Sequence, residues 1–148
     1  MKLTKQDLMN KLKDQQKTLK DIITPEDFAD QGQVADDIAI ELKDKMKPTQ
    51  LRKFFHAIKE KERKVKGDKD NDDIPSAINT ELRLLIPELA YAKGRKLITQ
   101  DFYDLMRSCL SAEKLRTVGD LRVFMQFLTA ILAYHKYHEK EKDNKGGK

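Results

Sequence analysis

Apolar residues along this chain recur at spacings of three and four and never alternate with polar ones over the length of a strand, so the pattern predicts helices and no strands. Leu8, Leu12 and Leu19 make a thin stripe between about Thr4 and Lys20. That stretch is expected to be helical but mobile in isolation. Thr24-Pro25-Glu26-Asp27 reads as a helix start, because threonine can cap and proline suits the first helical position. Gly32 is expected to interrupt the helical pattern after it. Val34, Ile38, Leu42 and Met46 then repeat every four residues. Pro48 and Thr49 open a further helix with Leu51, Phe54, Phe55, Ile58 and Val65 on one face.

Gly67 to Asp73 holds no apolar residue and reads as an acidic loop. Ile74-Pro75-Ser76 restarts a helix carrying Ile78, Leu82, Leu85, Ile86 and Leu89. Pro87 lies inside that pattern and must kink the helix or begin a second one, since it lacks an N–H and clashes with the preceding turn. Gly94 is expected to act as a C-terminal cap. Thr99 caps a helix in which Phe102, Leu105, Met106, Cys109 and Leu110 keep a helical stripe. Thr117, Gly119 and Asp120 mark a boundary. The last helix bears Leu121, Phe124, Phe127, Leu128, Ile131, Leu132 and Tyr134, a sector wide enough to make it the most buried. The expectation is an all-α protein: a single compact helical bundle of five to six helices. It divides into an N-terminal helical segment over 1–23, the bundle over 24–138 and a disordered polar tail over 139–148.

Length and composition agree with one domain and one modest core: 148 residues, 39% hydrophobic,. Charged residues reach 37%, above the roughly 25% of an ordinary domain. Cys109 is the one cysteine, which excludes an intrachain disulfide and fits a reducing, cytoplasmic setting. No apolar run approaches the ~18 residues of a membrane span. Met1-Lys2-Leu3-Thr4-Lys5 is not expected to be a secretory signal.

Catalytic and metal chemistry finds little footing. Asp68-x-Asp70-x-Asp72 resembles the start of a calcium loop, but the sixth and twelfth positions are Asp73 and Asn79, where glycine and glutamate are needed. His135-x-x-His138 would need further ligands, and only Cys109 and His56 could supply them softly. Cys109 falls on an apolar stripe. No glycine-rich phosphate loop or nucleophile elbow occurs. No cofactor, metal site or catalytic residue is therefore expected.

Positive charge is the informative feature. From Lys47 to Lys66 eight cations (Lys47, Arg52, Lys53, Lys59, Lys61, Arg63, Lys64, Lys66) stand against Glu60 and Glu62, a net +6 that exceeds the +5 of the whole chain. Arg52, Lys53, Lys59, Arg63 and Lys64 lie off the apolar stripe and are expected to face a phosphate backbone together. Lys93, Arg95 and Lys96 form a second patch around Gly94. Arg116, Arg122 and Lys136 add scattered charge. Aromatics are 7% of the chain and sit mostly on apolar stripes, so no base-stacking platform is expected, Tyr91, Tyr134 and Tyr137 being the exceptions. The expected contact is to backbone, without sequence preference.

Three stretches carry a family resemblance: Leu51-Arg52-Lys53-Phe54-Phe55-x-x-Ile58, Leu89-Ala90-Tyr91-Ala92-Lys93-Gly94-Arg95, and Phe124-x-x-Phe127-x-x-x-x-Leu132-Ala133-Tyr134-His135-Lys136-Tyr137. Together they resemble the small-subunit family of type III-A CRISPR effector complexes, the Csm interference complex. The resemblance implies an all-helical, non-catalytic subunit acting in defence against foreign nucleic acid. Several copies would line a helical ribonucleoprotein, touching guide RNA and target RNA, the backbone and large subunits, and one another. Carried over by position, Arg52, Lys53, Lys93, Arg95 and Lys136 would face RNA; with charge added, Lys59, Arg63, Lys96 and Arg122 join them. The N-terminal ~45 residues match no motif, so their role stays open, packing against a neighbouring copy being one use for them. The alternatives are a protein-only helical adaptor, a DNA-binding module using the Lys47–Lys66 helix, and an RNA-cleaving enzyme using His135 or His138.

Overall fold

A computed structural model describes the backbone of residues 2–146 and the side chains of residues 2–139. Among these, nine helices follow in order: α1 (Lys5–Lys11), α2 (Leu19–Ile22), α3 (Pro25–Phe28), α4 (Val34–Leu42), α5 (Pro48–Arg63), α6 (Ser76–Arg83), α7 (Leu85–Gly94), α8 (Gln100–Cys109) and α9 (Val118–Gly146). The all-α expectation stands, but the count of five to six does not. Two four-residue helices, α2 and α3, account for part of the excess. They exist because local capping is dense. In each Thr-x-x-Asp unit the aspartate accepts the threonine's N–H: Thr4–Asp7 at 3.1 Å, Thr18–Asp21 at 3.2 Å and Thr24–Asp27 at 3.0 Å. Such boxes satisfy donors that a helix start leaves open. Pro87 settles as the start of a second helix. α6 ends at Arg83 and α7 begins at Leu85, so Pro87 falls in the first turn, where a missing N–H costs nothing.

α9 is the spine, with α4 and α5 packed along it. Leu121, Phe124, Phe127, Leu128 and Ile131 are buried. Phe127 meets Phe28 with ring centroids 5.3 Å apart, while Phe54 sits between Phe102 and Phe124 at 5.9 and 6.4 Å. Leu3, Leu8, Leu12, Leu19, Ile22 and Ile23 join the same core, so the thin N-terminal stripe is packed. The polar tail expected over 139–148 falls, apart from Glu139, on residues whose side chains lie outside those described.

Two polar anchors hold the N-terminal segment and the acidic loop to the body. Lys114 is almost fully buried, and its Nζ donates to the carbonyls of Asp14 (2.6 Å) and Lys17 (2.9 Å). The acidic loop docks on the start of α9: Gly119 N–H donates to the Asp70 carbonyl and Val118 N–H to the Asp72 carbonyl, each at 2.8 Å, and Ile74 N–H to the Arg116 carbonyl at 3.0 Å. A lysine can stay buried there because carbonyl oxygens satisfy its charge. Lys114→Met keeps the alkyl stem but orphans both carbonyls. It is expected to cost about 1–3 kcal/mol, read as a lower urea midpoint.

Candidate nucleic-acid interface

α5 advances 100° per residue, and this divides its cations between two flanks. Arg52, His56, Lys59 and Arg63 follow i, i+4, i+7, i+11 and line one flank over about 16 Å. All four are exposed. Phe55 backs the row: Lys59 Nζ lies 5.8 Å from its ring centroid and the His56 ring 5.5 Å away. The other flank faces α6 and α7. There Lys61 and Lys64 converge on Glu81 at 3.7 and 3.2 Å, and the Lys64 hydrogen bond holds the Glu81 carboxyl below its usual range. Lys53 lines a groove with Phe54 and Ala57 of α5 and Leu85, Glu88, Leu89 and Ala92 of α7. The expectation that Arg52, Lys53, Lys59, Arg63 and Lys64 share a face is corrected accordingly. Lys53 and Lys64 turn the other way, and Lys64 has a carboxylate partner.

Within the row, Arg63 pairs with Glu60 at 3.3 Å, both side chains being more than half exposed. A pair of that kind is worth about 0–1 kcal/mol, so a phosphate can displace it. No carboxylate lies within ion-pair distance of Arg52, Lys53 or Lys59 among the described residues.

The second patch sits where α7 ends. Gly94 is the last helical residue, not the cap. The left-handed position belongs to Lys96, at φ 63°. Leu97 N–H donates to the Ala92 carbonyl and Lys96 N–H to that of Lys93, both at 2.9 Å, which closes a Schellman motif. Glycine adopts that conformation at little cost, whereas a lysine there is strained by about 1–2 kcal/mol. Lys96→Gly is therefore expected to stabilise the protein by roughly 1 kcal/mol in a thermal melt. Lys93, Arg95 and Lys96 have no ion-pair partner among the described residues, and the Arg95 guanidinium lies 5.7 Å from the Tyr91 ring centroid.

Arg122 has other work. Its Nη1 donates to Asp70 Oδ1 at 2.5 Å, and its Nη2 reaches the carbonyls of Val65, Lys66 and Asp68 at 3.3, 3.0 and 2.6 Å. It clamps the acidic loop, so it is set aside as an RNA contact. The clamp also engages one carboxylate of the calcium-like triplet, and Asp72 Oδ2 accepts the Lys69 N–H at 2.9 Å. Lys136 remains two-thirds exposed beside Glu139, 3.5 Å away.

The remaining candidates for chemistry are dispersed. His135 is buried with Nε2 3.1 Å from the Met46 carbonyl, and His138 Nε2 lies 2.5 Å from the buried Asp36 carboxylate. Cys109 is buried, and burial pushes its thiol up to about 12, so it stays protonated. Among the described residues no three His, Cys, Asp or Glu side chains gather where they could hold a metal. No helix among them is long and apolar enough to cross a membrane.

The fold and surface define a small all-α protein whose most distinctive face is a row of cations on one helix. Its family follows from comparison: the chain belongs to the Csm2 Type III-A family, whose model matches residues 25–141. That makes it a small-subunit member of a type III-A CRISPR effector complex. The match takes in every cationic candidate and leaves out α1 and α2. No curated protein and no solved structure matches the chain.

Three features are absent from the sequence-based expectations. His56 stands in line with Arg52, Lys59 and Arg63 on the exposed flank, which the i, i+4, i+7, i+11 spacing would have revealed. The Thr117-x-x-Asp120 unit repeats the capping signature seen three times earlier. The engagement of Arg122 had no local signal, because its partners lie some fifty residues away in sequence.

Proposed function

We propose that this subunit holds RNA in the effector complex through backbone phosphates, along the row formed by Arg52, His56, Lys59 and Arg63. The observation that supports it most is the row itself: cations at helical spacing on an exposed flank, with Arg52 and Lys59 lacking carboxylate partners among the described residues. Lys93, Arg95 and Lys96 extend the contact at the end of α7, with Lys136 a lesser contributor. The subunit is non-catalytic in this reading. It neutralises phosphates on guide RNA and target RNA, and base pairing supplies sequence information. RNA-guided DNA effectors divide the labour in the same way.

Such binding releases counterions, so its strength must fall steeply with salt. On a single strand the three formal cations of the row predict a slope of about −2 in log affinity against log salt, steepening to about −4 where Lys93, Arg95 and Lys96 engage as well. Titrating the full chain with unrelated single-stranded RNAs across a salt series tests this, and the affinities should agree between sequences. A salt-independent affinity, or no RNA contact either alone or in the assembled complex, would leave a protein-only adaptor as the better reading.

A further inference from the structure

Tyr91 is 69% exposed on α7, the most exposed large apolar side chain among the described residues. Exposing an aromatic ring gives up burial that other tyrosines of this chain obtain; Tyr134, for instance, is partly buried and donates its hydroxyl to the Ala29 carbonyl at 2.6 Å. One turn beyond Tyr91, the Arg95 guanidinium lies over its ring at 5.7 Å from the centroid. A cation on one face leaves the opposite face of so exposed a ring to solvent. The surroundings are also polarised. Glu88 stands one turn before Tyr91, whereas Lys93, Arg95 and Lys96 follow it and the next carboxylate in sequence is Asp101.

An i, i+4 tyrosine–arginine pair by itself only firms a helix slightly. Two further facts ask for a ligand. The three cations beside the ring have no carboxylate partner among the described residues, and one of them, Lys96, occupies a strained left-handed position that glycine would fill more easily. A flat aromatic surface beside clustered cations matches an unpaired nucleobase and its flanking phosphates.

We infer that Tyr91 and Arg95 form a stacking platform for one unpaired base of a single-stranded RNA, with Lys93 and Lys96 on the adjoining phosphates. This rests on the RNA-binding reading and adds to it a site that recognises a base, without choosing among bases. Every base has a π-face, so the platform tolerates any sequence.

The test compares, on the full chain, a ~10-nucleotide oligouridylate with an abasic ribose-phosphate strand of equal length, within the usual range of single-strand sites. The protein should bind the base-containing strand about tenfold more tightly. Tyr91→Ala should abolish that preference while leaving the abasic affinity and salt slope unchanged. Tyr91→Phe should keep it, and Arg95→Gln should weaken both strands. Because the ring is exposed, Tyr91→Ala should leave the circular dichroism spectrum and melting temperature alone. Equal affinity of the unaltered protein for both strands overturns the platform, as does a Tyr91→Ala loss of equal size on each. If salt-dependent binding persists without a base preference, only the platform fails. If neither strand binds, the RNA reading of the cationic row fails with it.

Discussion

Asp120→Ala is expected to remove about 3–5 kcal/mol of stability. Asp120 is fully buried at the start of α9. Its Oδ1 accepts the Lys20 N–H at 2.9 Å, and its Oδ2 accepts the Arg116 N–H, the Thr117 N–H and the Thr117 hydroxyl at 3.1, 2.9 and 3.1 Å. One carboxylate thus closes the cap of the spine helix and ties α2 to it. Alanine orphans three backbone donors, each costing about 1–3 kcal/mol when buried, though not additively. A domain of this size has only about 5–15 kcal/mol in all, so the variant should approach the unfolding threshold at physiological temperature. Asp120→Asn can keep its oxygen in the Oδ2 position and lose only the Lys20 bond, at about 1–2 kcal/mol. Urea denaturation followed by circular dichroism measures both. An alanine variant as stable as the parent would show that the carboxylate does not anchor the helix start, despite its four donors.

Whatever depends on local periodicity is legible in the sequence. The stripes of α5, α8 and α9, the proline starts of α3 and α5 and the break near Pro87 follow from helix geometry and from what proline forbids. Contacts between distant residues are not legible there. Lys114 reaching the carbonyls of Asp14 and Lys17, Arg122 closing on Val65 to Asp70, and His138 meeting Asp36 join residues roughly fifty to a hundred positions apart. No spacing rule encodes such pairs. Lys96 shows a different limit. A glycine two residues earlier offers the usual end signal, yet the chain turns at lysine, and only backbone dihedrals reveal it. The candidate site is legible as charge and not as a surface: composition marks the Lys47–Lys66 stretch but gives no hint that Glu81, on another helix, draws Lys61 and Lys64 away.

That division of α5 makes the proposed function separable from net charge, and it sets the second large effect. Arg52→Gln with Lys59→Gln and Lys61→Gln with Lys64→Gln each remove two positive charges from the same helix. If RNA responded only to overall charge, the two variants would weaken binding equally. If the exposed row is the contact, only the first should. Each solvent-screened phosphate contact is worth about 1 kcal/mol, or about fivefold in affinity, so the first pair should lose about 25-fold and adding Arg63→Gln about 100-fold. The salt slope should fall by about 0.7 for each contact removed. The second pair releases Glu81 from its two lysines and should change affinity less than twofold, with the slope preserved. All of these side chains are at least partly exposed and none bonds to a buried group, so melting temperatures should stay close to the parent's. Losses of equal size from the two flanks would assign the binding to a diffuse field and remove the row as a site. A loss confined to the Glu81 flank would move the RNA to the side of α5 that faces α6.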